Sequence, residues 1–248
     1  MTQSGVDILF IILIFFCGAF VQGAAGFGFG LFSVGLLSFF LTLPQSTATV
    51  LALTVLLSVQ ILVRYRKFIR LGDIRVLFGA ALAGRVGAYF FLASFGDALW
   101  IKRALGALLL GVVLLTALQE RGRVRLPRLN PRLLELAAGG VGGFVGGAFA
   151  VGGTFFVLYM LGRYDDKRHY TANIQALFLT LNVLSLTLDA ALGHLPHRTY
   201  LYVAVGALFA FLGVRLGLMC FERIPMKWIR RIVHGIVVAA ACSLLAFG

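Results

Sequence analysis

Charged residues are scarce in this sequence. Only 12% of its 248 residues are Asp, Glu, Lys or Arg, whereas 60% are hydrophobic. A soluble domain of this size cannot bury so much apolar surface, so the composition excludes an ordinary soluble protein. Together with a mean hydropathy of +0.98, it indicates an integral membrane protein.

Cysteine and catalytic motifs are also sparse. The three cysteines, Cys17, Cys220 and Cys242, lie in apolar stretches without the spacing of a metal site or a CxxC motif. We interpret them as small core residues. The sequence contains no nucleophile elbow, no HExxH motif and no phosphate-binding loop. It therefore predicts no metal, no cofactor and no enzymatic activity.

Acidic residues are few, nine against 22 Lys and Arg, which leaves a net charge of +13. The basic residues fall in short loops between apolar runs, where they orient a membrane protein. The positive charge therefore does not indicate nucleic-acid binding. No basic segment precedes the first apolar run, so we expect that run to be a retained membrane segment and not a cleaved signal peptide.

Long apolar runs are what the sequence has in abundance. A bilayer core of about 30 Å requires roughly 20 helical residues. Six runs are long enough to be ordinary spans: 46–63, 74–92, 101–118, 171–190, 200–220 and 228–247. Two further apolar stretches, 6–43 and 133–161, are interrupted by glycines.

Glycine is concentrated in one place, since eight of the fifteen residues from Gly139 to Gly153 are glycine. An interior glycine costs about 1 kcal/mol relative to alanine in a helix, so we interpret this run as a backbone break. When residues 18–53 are placed on 142–177, twelve of 36 positions are identical. The chain is therefore a duplication with a glycine break in each half.

The distribution of basic residues bears on the topology of 133–161. If this stretch is a hairpin of two half-helices, the basic loops before and after it lie on the same side as the other basic loops, as the positive-inside rule requires. Each half then contains a glycine-broken helical hairpin plus three transmembrane helices. Because this is an odd number of crossings, the second half is inverted relative to the first. For 6–43, a re-entrant hairpin and two complete spans both remain open.

The predicted fold is thus an all-α integral membrane protein with two inverted repeats, the plan of many secondary transporters. The first transmembrane repeat covers 1–118 and the second covers 133–248. A basic linker, 119–132, joins them on the cytoplasmic side. The same plan predicts a multi-pass membrane protein.

Two arginines are the clearest candidates for a binding site. Arg85 and Arg215 lie within predicted spans, at matching positions of the segments 83–87 and 213–217. An arginine inside a span costs about 2.5 to 3.5 kcal/mol on insertion scales. Such a residue faces a cavity or a partner, or it extends its head group to the membrane surface. Both explanations are open for this pair.

The glycine breaks provide a second element that attracts anions. A half-helix that begins at mid-membrane directs its free N–H groups and its positive dipole end into the protein centre. The alternative is that the glycines only allow close helix packing. Polar side chains near the breaks add possible donors. The candidate substrate-binding residues are Gln22, Gly28, Gly30, Thr47, Arg85, Gly153, Thr154, Thr171, Asn173 and Arg215.

At these residues the chain resembles the TauE/SafE family of sulfite exporters and sulfonate permeases. In that family each half opens with a glycine-rich motif followed by a small-residue Ala-x-Thr/Ser element. The corresponding residues here are Gly23 to Gly30 with Ala48 and Thr49, and Gly147 to Thr154 with Ala172 and Asn173. The resemblance implies transport of sulfite or an organosulfonate, and the direction of transport differs among members.

The sequence thus predicts a secondary transporter that moves a small sulfur-containing oxyanion across the inner membrane by alternating access. An anion channel and a non-transporting membrane enzyme or assembly subunit are the alternatives. The expected partners are the small anionic substrate and the lipid bilayer. A coupling proton or ion, for which Glu135, Asp189 and His234 are the ionisable candidates, and the oligomeric state are left open.

Overall fold

The computed structural model describes residues 5–95 and 130–221, apart from 38, 151, 165, 194 and 196–198, together with scattered positions within 107–114 and 223–242. Most of the predicted spans 101–118 and 228–247, and most of the linker 119–132, lie outside the described residues. The boundaries of the two repeats therefore stay predictions.

The described part of the chain is helical and contains no strand, as predicted. Five of its helices, α1, α3, α4, α7 and α8, are long and apolar enough to cross a membrane. Two short 3-10 turns, Arg66–Phe68 and Leu71–Ile74, connect α3 to α4. The helices are α1 (Gly5–Ala25), α2 (Phe29–Leu37), α3 (Leu43–Tyr65), α4 (Arg75–Phe95), α5 (Pro131–Phe149), α6 (Gly153–Arg163), α7 (Lys167–Ala191) and α8 (Thr199–Phe221).

Helices α1 and α5 end in the same way, at the predicted breaks. Gly26 follows α1 with a φ of 79°, and Ala150 follows α5 with a φ of 56°. The N–H of each bonds the carbonyl four residues earlier, Gly26 to Gln22 at 2.7 Å and Ala150 to Gly146 at 3.0 Å. Positions 26 and 150 are equivalent in the duplication. The left-handed turn that ends the helix is therefore common to both halves, although only one half has a glycine there.

After the first break the chain folds back as a hairpin. A Cβ atom added to Gly18 of α1 would lie 2.6 Å from Oγ of Ser33 in α2, so the two helices are in close contact. At the open end, the rings of Phe10 and Phe40 stack with their centroids 6.1 Å apart. These contacts favour the re-entrant hairpin over two complete spans for 6–43.

The second break produces a similar hairpin from α5 and α6. A Cβ atom added to Gly142 of α5 would lie 2.6 Å from the ring of Phe156 in α6. The arms of both hairpins are unequal, with 21 and 9 residues in the first and 19 and 11 in the second. At 1.5 Å per residue the longer arms extend about 30 Å. Each hairpin therefore consists of one long helix and one short helix of about half its length.

Helices α3 and α7 pack side by side and antiparallel. Ser58, in the middle of α3, donates to Gln175 of α7, while the carbonyl of Phe68, just after α3, contacts the ring of His169 near the start of α7. The second hairpin opens at this same end, since Glu135 of α5 accepts the N–H of Leu77 near the start of α4. The first hairpin opens at the start of α3. The two hairpins thus open toward opposite ends of the bundle.

The long arms of the hairpins pack closely on two other helices, α5 on α4 and α1 on α8. Gly143 approaches the carbonyl of Ala81, and Gly217 approaches the carbonyl of Phe20, so close that neither position has space for a Cβ atom. Small residues that allow backbones to approach are typical of membrane helix pairs. The packing explanation therefore applies to glycines within the long helices. It also applies at the breaks, where neither Gly30 nor Gly152 has space for a Cβ atom.

Candidate anion-binding site

A pocket lies where the two breaks meet, between the N-termini of α2 and α6. The breaks are in contact, because a Cβ atom added to Gly30 would collide with the carbonyl of Ala150. The empty space between its lining atoms, which includes space open to the surroundings, is about 440 Å³. Its lining combines glycines, aromatic rings, amides, a hydroxyl and one arginine. The lining residues are Gln22, Phe27, Gly28, Gly30, Leu31, Leu51, Thr54, Arg85, Gly146, Ala150, Gly152, Gly153, Phe156, Phe178 and Asn182.

Residues at the N-termini of two helices line this pocket. Gly28, Gly30 and Leu31 at the start of α2, and Gly152 and Gly153 at the start of α6, are all lining residues. The first N–H groups of a helix have no carbonyl partner within the helix. At α6 the N-cap residue is glycine and makes no side-chain cap. The positive end of the helix dipole and the first N–H groups of each helix make both termini suited to an anion.

Arg85 brings a full positive charge to the same pocket. Its side chain reaches there from α4 and is only 3% exposed. Nη1 donates to the carbonyl of Gly146, Nη2 donates to Oδ1 of Asn182 at 3.2 Å, and Nε has no hydrogen-bond partner. Asp189, further along α7, acts on Arg85 through its charge but is not among its described hydrogen-bond partners. The guanidinium is thus held by two uncharged acceptors.

Two glycines of α5 provide the space that Arg85 occupies. A Cβ atom added to Gly146 would lie 3.2 Å from Nη2 of Arg85, and one added to Gly147 would lie 2.9 Å from its Cδ. Sequence reasoning did not assign Gly146 to the site. The signal was present in the duplication, which places Gly146 opposite Gln22.

The pocket brings together half of the residues predicted from the sequence: Gln22, Gly28, Gly30, Arg85 and Gly153. Asn182 joins them as the acceptor for Arg85. Thr54, which also lines the pocket, was missed because its hydroxyl bonds the carbonyl of Val50 within its own helix. Nothing in the local sequence distinguishes such a threonine from others in an apolar helix.

Three predicted threonines are buried without being lining residues of the pocket. Thr47, Thr154 and Thr171 are at most 9% exposed, and none of their hydroxyl groups has a hydrogen-bond partner. Thr154 follows Gly153 directly in α6. Thr171 lies beside the first break, where its Oγ1 would be 2.9 Å from a Cβ atom added to Gly26.

Asn173 does not line the pocket, and its side chain makes hydrogen bonds that connect two segments of the fold. Its Oδ1 accepts the N–H of Arg70 at 2.8 Å, and its Nδ2 donates to the carbonyl of His169 at 2.8 Å. Asn173 therefore joins the turns after α3 to the first part of α7. Asn173 is not among the described residues that line the pocket.

Arg215 is also away from the pocket, on an exposed face of α8. Gly213 and Gly217 of α8 face α1, where they approach Phe16 and Phe20. Arg215 lies two residues from each of them, and two residues turn an α-helix by about 200°. Its side chain therefore leaves the helix on the opposite side. The matching sequence positions of Arg85 and Arg215 do not correspond to matching positions in the fold.

Comparison with known proteins identifies one family. The family model described as "Sulfite exporter TauE/SafE" matches residues 10–244, nearly the whole chain. No curated protein and no solved structure gives a significant match.

Proposed function

This chain belongs to the TauE/SafE family of sulfite exporters, and on that premise we propose that it is a secondary transporter which binds a small sulfur-containing oxyanion in the pocket between the two breaks. The substrate is sulfite or an organosulfonate. The protein carries it across the bacterial inner membrane by alternating access, as a transporter and not as an enzyme.

The observation that carries this proposal is the environment of Arg85. A charge that is buried without a compensating partner is strongly unfavourable, typically by several kcal/mol. Arg85 is 3% exposed, its described hydrogen-bond acceptors are neutral, and its Nε is unpaired. The N-termini of α2 and α6 add positive potential at the same place. Asp189 acts on Arg85 through its charge from further along α7, and an anion in the pocket would add a negative charge in direct contact with the unpaired Nε.

The lining favours an oxyanion over a simple halide. A guanidinium presents its N–H groups in a planar fork that matches two oxygens of one group. The backbone N–H groups at Gly30, Leu31 and Gly153 offer donors for a further oxygen. Phe27, Phe156 and Phe178 form an apolar wall beside them, which suits the organic part of a sulfonate.

Alternating access requires two related halves that rearrange around a fixed site. The proposal assigns these halves to 1–118 and 133–248, joined by 119–132, with inverted topology. The opposite opening directions of the two hairpins and the antiparallel packing of α3 against α7 support it. The pocket lies at the contact between the halves, because Arg85 of the first bonds Gly146 and Asn182 of the second.

Flux through the purified protein in liposomes tests this function. We expect uptake of sulfite or of an organosulfonate such as isethionate or taurine, saturating with concentration and slow enough to produce no channel-like current. Uptake at rates far above carrier turnover would identify an anion channel. If none of these anions moved in vesicles that contain correctly inserted protein, the transport proposal would be wrong and a membrane enzyme or assembly subunit would remain.

A further inference from the structure

Gln175 of α7 makes three hydrogen bonds at the first break, all with residues of the first half of the chain. Its Nε2 donates to the carbonyl of Gly26 at 2.8 Å. Its Oε1 accepts from Oγ of Ser58 at 2.7 Å and from Nε2 of Gln22 at 3.3 Å. Gln22, Ser58 and Gln175 are each at most 1% exposed. The network is therefore fully inside the protein.

These bonds define the orientation of both amides. A backbone carbonyl can only accept, so the Gln175 amide must direct its nitrogen to Gly26 and its oxygen to Ser58 and Gln22. Gln22 must then direct its NH2 group, and not its oxygen, toward Gln175. Because an amide nitrogen carries two N–H groups, this bond uses one and leaves a second N–H group on a residue that lines the pocket.

We infer that Gln175 is a positioning residue for the anion pocket: it orients the amide of Gln22 as a donor and holds the left-handed turn at Gly26 from which α2 starts. This inference rests on the proposed function. Gln175 acts through Gln22 and the break, since it is not itself a lining residue of the pocket.

Among the residues that the structure describes, the second break has no equivalent amide network. The duplication places Leu51 opposite Gln175 and Gly146 opposite Gln22. Arg85 instead bonds the carbonyl of Gly146 and the side chain of Asn182, which lies opposite Ser58 in the duplication. Each break is thus held by one side chain from the other half of the chain, an amide at the first and a guanidinium at the second. Gln175 and Asn182 are seven residues apart on α7, two turns along the same face, so α7 contacts both clusters.

A double-mutant cycle on anion affinity tests the inference. Gln175→Met keeps the length of the side chain and removes its donor and acceptor, while Gln22→Ala removes the amide through which Gln175 acts. The dissociation constants for sulfite and for an organosulfonate are measured by calorimetry on folded protein. Ser58→Ala is the control, because it removes one bond of Gln175 and leaves those to Gly26 and Gln22.

We expect Gln22→Ala and Gln175→Met each to raise the dissociation constant about three- to tenfold, the effect of one neutral hydrogen bond. In the Gln22→Ala background, Gln175→Met should raise the dissociation constant by a smaller factor than in the wild type, because only its bonds to Gly26 and Ser58 are then left to lose. Ser58→Ala should change the affinity less than Gln175→Met does.

Two results would overturn the inference: an unchanged dissociation constant for Gln175→Met, or the same fold-change in both backgrounds. If Gln175→Met does not fold, Gln175→Leu, which introduces the residue found at position 51, replaces it in the cycle. Wild-type protein that bound no anion would overturn the proposed function together with this inference, whereas binding with no coupling between the two residues would overturn the inference alone.

Discussion

Gln22 and Gly146 occupy equivalent positions of the two hairpins, but only Gly146 leaves space for an arginine. A Cβ atom on Gly146 would lie 3.2 Å from Nη2 of Arg85, whereas the side chain of Gln22 fills the corresponding place and bonds Gln175. A duplicated scaffold has therefore produced a pocket with one charged side and one neutral side. This difference contributes to the asymmetry together with a second one, because Leu51 stands opposite Gln175 in the duplication.

Replacing each arginine by lysine should affect anion affinity at Arg85 but not at Arg215. Arg85→Lys keeps the charge but loses the fork that bonds Gly146 and Asn182, so we expect a ten- to hundredfold rise in the dissociation constant, as for one charge-assisted hydrogen bond. Arg215→Lys is the matched control, because Arg215 is exposed on α8. It should bind and transport as the wild type does. Calorimetry and liposome flux measure both, and equal effects of the two variants would contradict the assignment of Arg85 to the site.

Asn182→Asp should weaken anion binding, because it places a negative charge beside Arg85 in the pocket. The substitution is isosteric and gives Nη2 of Arg85, now 3.2 Å from the Asn182 amide oxygen, a carboxylate partner. The new ion pair competes with a bound anion, so we expect the affinity to fall at least tenfold while the protein remains folded. Asn182→Leu, which adds no charge, should weaken binding less. Unchanged affinity in the Asp variant would show that the anion does not depend on the charge of Arg85.

Two substitutions one turn apart in α5 test the packing role of the helix glycines without changing the glycines at the breaks. Gly143→Ala places a Cβ atom against the backbone of Ala81, whereas a Cβ atom on Gly140 meets nothing within 4 Å. We expect Gly143→Ala to destabilise the protein by about 1 to 3 kcal/mol through overpacking. Gly140→Ala should be neutral or stabilising by up to about 1 kcal/mol, because alanine favours the helix. Thermal unfolding in detergent compares them, and equal stabilities would contradict the close packing of α4 on α5.

Backbone conformation at the first break gives another test. Gly28 has a φ of 113°, a value that residues with side chains rarely adopt, and a Cβ atom there would lie 3.0 Å from Val21. Gly28→Ala should therefore shift the start of α2 and reduce transport strongly in protein that still inserts. Gly79→Ala is the control, since a Cβ atom at Gly79 meets nothing within 4 Å and its φ is not positive. Normal transport by Gly28→Ala would mean that the position of α2 is unimportant for the substrate.

Cysteine labelling tests the topology of the hairpins. In a background without Cys17, Cys220 and Cys242, single cysteines are placed at the exposed positions Arg132, Arg163 and Phe39. Arg132 and Arg163 lie at the two ends of the second hairpin and should react with a membrane-impermeant reagent from the same side. Phe39, at the open end of the first hairpin, should react from the opposite side. Any other pattern would remove the inverted-repeat proposal.

Local features of the sequence were sufficient for the class of protein and for most of its helices. Apolar runs of about 20 residues predicted α3, α4, α7 and α8 to within four residues at each end, because the bilayer sets the length of a spanning helix. The duplicated glycines located both breaks, since glycine is unfavourable inside helices. The sequence also identified Arg85, because a charge within a span needs a partner.

Only the tertiary structure decided which of these residues meet. Arg215 has the same sequence context as Arg85. Gly213 and Gly217 face α1, however, so Arg215 lies on the opposite, exposed side of α8. Asn173 matched a family motif, yet its amide is used between α7 and the turn that contains Arg70. Gln175 acquired its role from Gly26, 149 residues away. The rotation of a helix about its axis and the identity of its neighbours depend on packing between distant segments, and no local pattern of residues encodes them.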